Sequence, residues 1–169
     1  EICALRWSDI NFDTQMMKID KSLKVIRGVV DEATTKTENS KREIMLSKST
    51  INLLKEYKEW QDNYIKWIGK KWQGTDRIFT SKEGNYMHPS TCDHIMRKIV
   101  KKYNLAPICF HELRHTSASI LINKGINPKA VSQRLGHADT SITMEIYTHT
   151  FDTSKKDSAL AFDDILKNA

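Results

Sequence analysis

The stretch at residues 111–150, HELRHTSASILINKGINPKAVSQRLGHADTSITMEIYTHT, carries the punctuation of a helical fold. A helix starts near His111, runs to Asn123 and stops at Gly125, since glycine takes a left-handed C-terminal position without a Cβ clash. Asn127 then Pro128 is a capping residue followed by a first-turn proline, so a second helix runs to Leu135 and ends at Gly136. Asp139 or Thr140 caps a third, which carries Ile142, Ile146 and Tyr147. Helices separated by glycine stops make this half of the chain all-helical.

Working upstream, a helix is expected after Pro89, before KKYNLAPICFHELRH leads into the His111 segment. Residues 68–89, IGKKWQGTDRIFTSKEGNYMHP, hold three of the six glycines and break the periodicity, so they read as a loop, a short strand at 77–80 and a turn. From Ser47, a capping residue, Ile51, Leu54 and Tyr57, then Leu53 and Trp60, recur at helical spacing on one face, with Lys55, Lys58 and Glu59 on the wet side. Between residues 14 and 46, MMKID, SLKVIRGVV and REIML read as strands, and DEATTKTENSK between the last two as an exposed polar loop. The fold class is therefore α+β, mainly α-helical with a small antiparallel sheet near the N-terminus.

A chain of 169 residues with 39% apolar residues supplies one domain and one sizeable core. Charged residues at 28% argue against wholesale disorder. No run approaches the ~18 apolar residues of a membrane span, and EICALRWSDI carries no basic leader or cleavage site. Cys3, Cys92 and Cys109 are odd in number, far apart and without a CxxC pair, which fits buried bystanders in a reducing cytoplasm. The balance of 27 Lys and Arg against 21 Asp and Glu, net +6, points to an anionic partner, nucleic acid first.

Two local motifs compete for the chemistry. HELRH at 111–115 matches H-E-x-x-H, in which two histidines one turn apart hold zinc and the glutamate acts as base. Arg114 would set a fixed cation beside the dication, and Ala118 and Leu121 stand where the extended motif has its glycine and third histidine. No metal is expected. NPKAVSQRLGHADTSITMEIY has the form of a helix-turn-helix, a DNA-binding module without chemistry, with residues 140–147 as recognition helix. Its Met144, Ile146 and Tyr147 are poor base readers.

The order HELRH, LGHADTSIT, EIYTHT resembles the catalytic domain of the tyrosine recombinases, the phage-type integrases, whose pattern is H-x-L-R-H-T, L-G-H and Y-x-H. Counterparts stand at His111, Arg114, His137 and Tyr147. That family's N-terminal box is matched by Glu1, Leu5, Trp7 and Asp9, and its T-K-T with a following S-x-R by Thr35, Lys36, Thr37, Ser40 and Arg42. The resemblance runs from Glu1 to about Phe151. It implies site-specific recombination of a mobile element in a bacterial cytoplasm, by cleavage and rejoining through a 3'-phosphotyrosyl intermediate. It also implies a double-stranded DNA partner, a homotetramer on two DNA sites and no cofactor. The catalytic set is then Lys36, His111, Arg114, His137 and Tyr147, with Glu1 supporting. The family's first catalytic arginine would lie three positions before Glu1, with Arg6 at a variable position. Residues 1–169 are thus expected to be a catalytic domain truncated at its N-terminus, a poor recombinase alone, with 152–169 a candidate for exchange between protomers.

Phosphoryl chemistry asks for such a set. Attack by an oxygen nucleophile builds charge on the non-bridging oxygens, which fixed cations and donors must meet. Arg114 offers a bidentate fork, with His111 one turn behind it, and His137 a further donor. Tyr147 is the nucleophile, and Lys36 on a hairpin can protonate the leaving 5'-oxygen. Taken singly, each of these residues has a plain packing or solvated reading. His115 is expected to face the core, His149 to be structural, and Lys129 and Arg134 to be wet-face charges or phosphate contacts.

Overall fold

Trp7 organises the first part of the chain. In this computed structural model, which describes residues 1–26, 29–34 and 41–136 together with Ser141, Thr143, Met144, Tyr147 and Thr148, two compact units separate at Phe110 and His111. Each is described by itself.

In the first unit, 3-10 turns at Ile2–Ala4 and Trp7–Asp9 precede the strands β1 (Ile10–Asn11), β2 (Met16–Ile19), β3 (Lys21–Ile26), β4 (Val29–Thr34) and β5 (Arg42–Met45). The long helix α1 (Lys48–Ile68) and the helix α2 (Ser90–Tyr103) follow. Strands β1, β2 and β5 form an antiparallel sheet in that order, with Met17 opposite both Ile10 and Ile44. Strands β3 and β4 form a separate hairpin.

The sequence SLKVIRGVV is thus two strands rather than one, and the second runs on into the stretch read as a polar loop. Paired with β3 from Ile26 to Lys21, these residues satisfy their backbone groups in a ladder, and polar side chains such as Asp31 and Glu32 do not oppose that. Residues 77–80 hold bridges at their two ends, Arg6 to Arg77 and Thr80 to Tyr86, in place of a continuous strand.

Trp7 packs with Ile10, Leu46, Ile51 and Ile78, flanked by Leu54, Tyr57 and Phe79. Ser47 caps α1 by accepting from the Thr50 N–H at 3.2 Å. The helix buries Ile51 and Gln61 and half-buries Leu54 and Tyr57, whereas Leu53 and Trp60 are 65% and 55% exposed. Instead of joining the core, Trp60 continues a ladder of rings along α1. Tyr57, Trp60, Tyr64 and Trp67 follow one another at centroid distances of 5.5, 5.5 and 5.7 Å, a stabilisation that burial-based reading of the helix does not anticipate.

Gln61 is the polar pin of this core. It accepts from the Trp7 indole N–H at 2.7 Å and donates to the carbonyls of Arg77 and Ile78 at 3.3 and 3.1 Å. Replacing Gln61 with Leu is expected to lower the unfolding free energy by about 2–4 kcal/mol, because buried groups left unpaired cost roughly 1–3 kcal/mol each. Chemical denaturation measures this; a change below about 0.5 kcal/mol would mean water replaces the amide at no loss.

The cysteines divide three ways. Cys3 is buried, Cys92 is half-buried with its Sγ 3.7 Å from that of Cys3, and Cys109 is exposed in the extended connection after α2, contrary to the expectation of burial for all three. Burial, with Cys92 adding to it, pushes the Cys3 thiol up to about 12. No helix of the described residues is long and apolar enough to cross a membrane.

The second unit contains α3 (Glu112–Asn123) and α4 (Pro128–Leu135). Gly125 at φ +76° turns the chain after α3, with its N–H donating to Ile122 at 2.9 Å. Asn127 caps α4 by accepting from the Lys129 N–H at 2.9 Å, and Gly136 ends it in the left-handed conformation. Ala118, Ile122 and Val131 pack the two helices together, with Leu121 and Leu135 against them. Described residues between 141 and 148 are helical.

Candidate functional site

The two boxes at the N-terminal end of the sequence meet through an ion pair. Glu1 takes the Arg42 guanidinium bidentately at 3.1 and 2.9 Å, so the acid of the first box holds the arginine of S-x-R at the start of β5. Sequence reading named both residues and did not join them.

A second cluster was not legible. Glu32 on β4 accepts from Arg6 Nη2 at 3.0 and 3.1 Å and from Arg77 Nη2. Burial opposes the Glu32 charge, but Arg77 and Arg6 outweigh it and hold the carboxyl below its ordinary range. That contribution to stability is present above the ordinary carboxylate pKa and is lost as pH falls through the depressed one. The signal available was slight: an acid in a polar stretch, and Arg6 at a variable position. Lys36, the sequence-derived proton donor, lies outside the described residues.

In the second unit, the first turn of α3 presents Arg114, half-buried, with His111 at the residue before the helix. His111 keeps helical dihedrals and its carbonyl accepts from the Arg114 N–H at 3.0 Å, so the two side chains leave one tight turn. The same end of α3 carries the positive end of the helix dipole.

His115 is exposed rather than core-facing. It lies one turn beyond His111 on the same face, the rings 5.7 Å apart and nearly perpendicular, so the exposure of one goes with that of the other. Among the described residues no group of three or more His, Cys, Asp or Glu is arranged to hold a metal ion.

Tyr147 is 37% exposed on a helical segment whose Thr148 hydroxyl donates to the Met144 carbonyl at 2.9 Å. Thr143, one turn earlier on the same face, is fully buried, so the phenol emerges at the edge of a packed surface. His137 follows the last residue of α4's glycine stop but, with His149 and 152–169, lies outside the described residues. So do residues 137–140, the turn on which a helix-turn-helix geometry depends. His111, Arg114 and Tyr147 belong to one unit, and Glu1 and the Lys36 segment to the other.

The sequence matches the model of the phage integrase family over residues 1–154. The chain belongs to the phage integrase family. Among relatives, it is 31% identical over 169 residues to the ICEBs1 integrase of Bacillus subtilis, covering 98% of this chain and 45% of that protein. It is 30% identical over 173 residues to the integrase of Staphylococcus phage L54a, covering 95% and 46%. The chain thus spans about half the length of the curated relatives it matches.

The fold is that of integrases of known structure. The Tn1549 transposon integrase in complex with circular intermediate DNA superposes with a TM-score of 0.79 at 23% identity, over 95% of this chain and 54% of that one. The XerA recombinase gives 0.67 at 21%, over 96% and 50%. This agrees with the expected α+β class: among the described residues, four α-helices with small antiparallel sheets near the N-terminus.

Proposed function

We propose that the protein is a tyrosine recombinase of a bacterial mobile element, which cuts and rejoins double-stranded DNA through a covalent 3'-phosphotyrosyl intermediate. The observation that carries this reading is that the family match at residues 1–154 includes every position of the catalytic set, Lys36, His111, Arg114, His137 and Tyr147. Relatives named as the integrase of a Staphylococcus phage and as the ICEBs1 integrase support the mobile-element assignment. Solved integrases in complex with DNA support duplex DNA as partner.

On this reading Tyr147 Oη attacks the scissile phosphorus, the bond from phosphorus to the 5'-oxygen breaks, and a phosphotyrosyl ester forms on the 3' side. Arg114 grips two phosphate oxygens in its planar fork while His111 and His137 donate hydrogen bonds to the charge that builds there. Lys36 gives its proton to the departing 5'-oxygen, and the reverse sequence with a new 5'-hydroxyl rejoins the strand. The ester keeps the energy of the broken bond, so joining needs no nucleotide cofactor. Residues 1–169 are the catalytic domain, residues 152–169 the element exchanged between protomers, and a tetramer on two DNA sites in the cytoplasm the working form.

The test is a duplex carrying the joined ends of the element, nicked so that cleavage cannot reverse. In a full-length context the protein is expected to form a covalent adduct on it with undiminished yield in excess chelator, and digestion should leave a nucleotide on Tyr147. Activity lost on chelation and restored by metal would favour a hydrolase at His111 and His115, in which Glu112→Gln is inactive and Tyr147→Phe is not. Salt-reversible retention without any adduct would favour a DNA-binding module alone.

A further inference from the structure

The side chains of Cys3 and Cys92 meet in the small core to which Leu23 and Val30 of the β3–β4 hairpin contribute. Their sulfurs stand 3.7 Å apart, although the residues are 89 positions apart in the chain. Cys3, Ala4 and Leu23 are buried together, and Val30, Met87 and Cys92 pack against them. No step of the proposed cleavage uses either thiol.

Both backbones are held in place. The Cys3 carbonyl accepts from Arg77 Nη1 at 3.5 Å, and the Ala4 and Leu5 N–H groups donate to Glu1 and Ile2 at 2.8 and 3.2 Å, which closes the 3-10 turn around Cys3. Cys92 lies in the first turn of α2, where its N–H donates to the Pro89 carbonyl at 3.3 Å and the Ser90 N–H donates to His88 Nδ1 at 3.3 Å. A disulfide brings two sulfurs to about 2.05 Å, and rotation about the two Cα–Cβ bonds covers a gap of this size.

The two thiols differ in access. Cys92 is half-buried and open to a small solute, whereas Cys3 is 5% exposed. Burial and the neighbouring Cys92 also keep the Cys3 thiol protonated. An oxidant therefore meets Cys92 first, and Cys3 is the sulfur that answers it.

We propose that Cys3 and Cys92 form a peroxide-oxidisable dithiol site, whose disulfide staples the turn after Glu1 to the start of α2. The Cys92 sulfur attacks one oxygen of hydrogen peroxide, the O–O bond breaks, and a sulfenic acid and one water form. The Cys3 sulfur then attacks the Cys92 sulfur, the S–O bond breaks, and the departing oxygen takes the Cys3 proton and leaves as a second water. Two thiols give up two electrons and two protons, and one peroxide becomes two waters. Neither DNA nor the catalytic set takes part, and a dithiol reductant restores both thiols.

The test is peptide mapping of the full-length protein after exposure to hydrogen peroxide, with remaining thiols blocked before digestion. Trypsin parts the three cysteines, because Arg6, Lys82, Arg97, Lys102 and Arg114 lie between and beyond them. The expected product joins the peptide ending at Arg6 to residues 83–97, two hydrogens lighter than its parts, in a yield independent of protein concentration. In Cys3→Ala the sulfenic acid at Cys92 has no thiol to condense with, so a 1,3-dione should trap it about tenfold more than in the parent. The linked form should melt about 5–15 °C above the reduced one, since the cross-link closes a long loop, and should lose that gain in a dithiol reductant.

Cys92 carried to the sulfinic acid with Cys3 still a thiol, dione capture unchanged by Cys3→Ala, or a midpoint unmoved or lowered by the link would each overturn the proposal. Linkage through Cys109 in place of the Cys3–Cys92 pair would do the same. The mapping is read on the parent protein, so it decides the matter even if Cys3→Ala does not fold.

Discussion

Tyr147→Phe is expected to keep DNA binding and to lose the covalent complex, with cleavage falling by at least about 10⁴-fold, the scale on which loss of a nucleophile leaves only positioning and charge stabilisation. The substitution removes one oxygen from a ring that is 37% exposed, so the fold should tolerate it with a change of no more than about 1 kcal/mol. Trapping on the nicked junction duplex, read on a denaturing gel beside a binding titration, separates the two effects. An adduct that persists in Tyr147→Phe would place the nucleophile elsewhere in the chain and remove the central element of the proposed mechanism.

Arg114 should show the next largest effect, and its two substitutions should differ. Arg114→Ala removes both charge and fork and is expected to slow single-turnover cleavage by about 10²–10³-fold, as removal of a preorganised donor to a developing oxyanion does. Arg114→Lys keeps the charge but cannot make two parallel hydrogen bonds to one phosphate, so it should recover only part of that loss. DNA affinity should change little, because the many backbone contacts of a DNA-binding surface share the electrostatic attraction. Full rate in Arg114→Lys would show that a point charge suffices and that bidentate geometry has no role.

What sequence reading could see depended on how local the cause was. Ser47, Asn127, Pro128, Gly125 and Gly136 act on their own backbone within a turn or two: α1 and α4 begin, and α3 and α4 end, as those residues direct. The partners of Glu32 and Gln61 are far away in the chain, and nothing in the neighbourhood of either residue announces them. The hairpin of β3 and β4 failed to show for a related reason, since its pairing, not its apolar pattern, makes the polar half a strand. Trp60 was assigned to the core because apolar spacing cannot distinguish a ring buried under a sheet from a ring stacked on its own helix.

The site followed the same division. His111 and Arg114 sit within one turn, and that part of the pattern was visible as HELRH. Glu1 and Arg42 each appeared in a family box, but only folding brings the acid of one onto the arginine of the other. His115 was misplaced because helical spacing sets it in line with Ala118 and Ile122, which are buried against Val131 of α4, whereas His115 lies nearer the start of α3 and is exposed.

The distribution of aromatic residues has an optical consequence. All four tryptophans, Trp7, Trp60, Trp67 and Trp72, lie before residue 111, and all belong to the chain of ring contacts that starts at Trp7 and Tyr57 and runs along α1 to Trp72. Indole emission is therefore a private signal of the first unit, blind to the unit that carries Arg114 and Tyr147, while far-ultraviolet dichroism sums the helices of both. Melting curves taken by the two methods would coincide only if the units lose structure together, so a single native sample, without labels or substitutions, reports whether they unfold cooperatively.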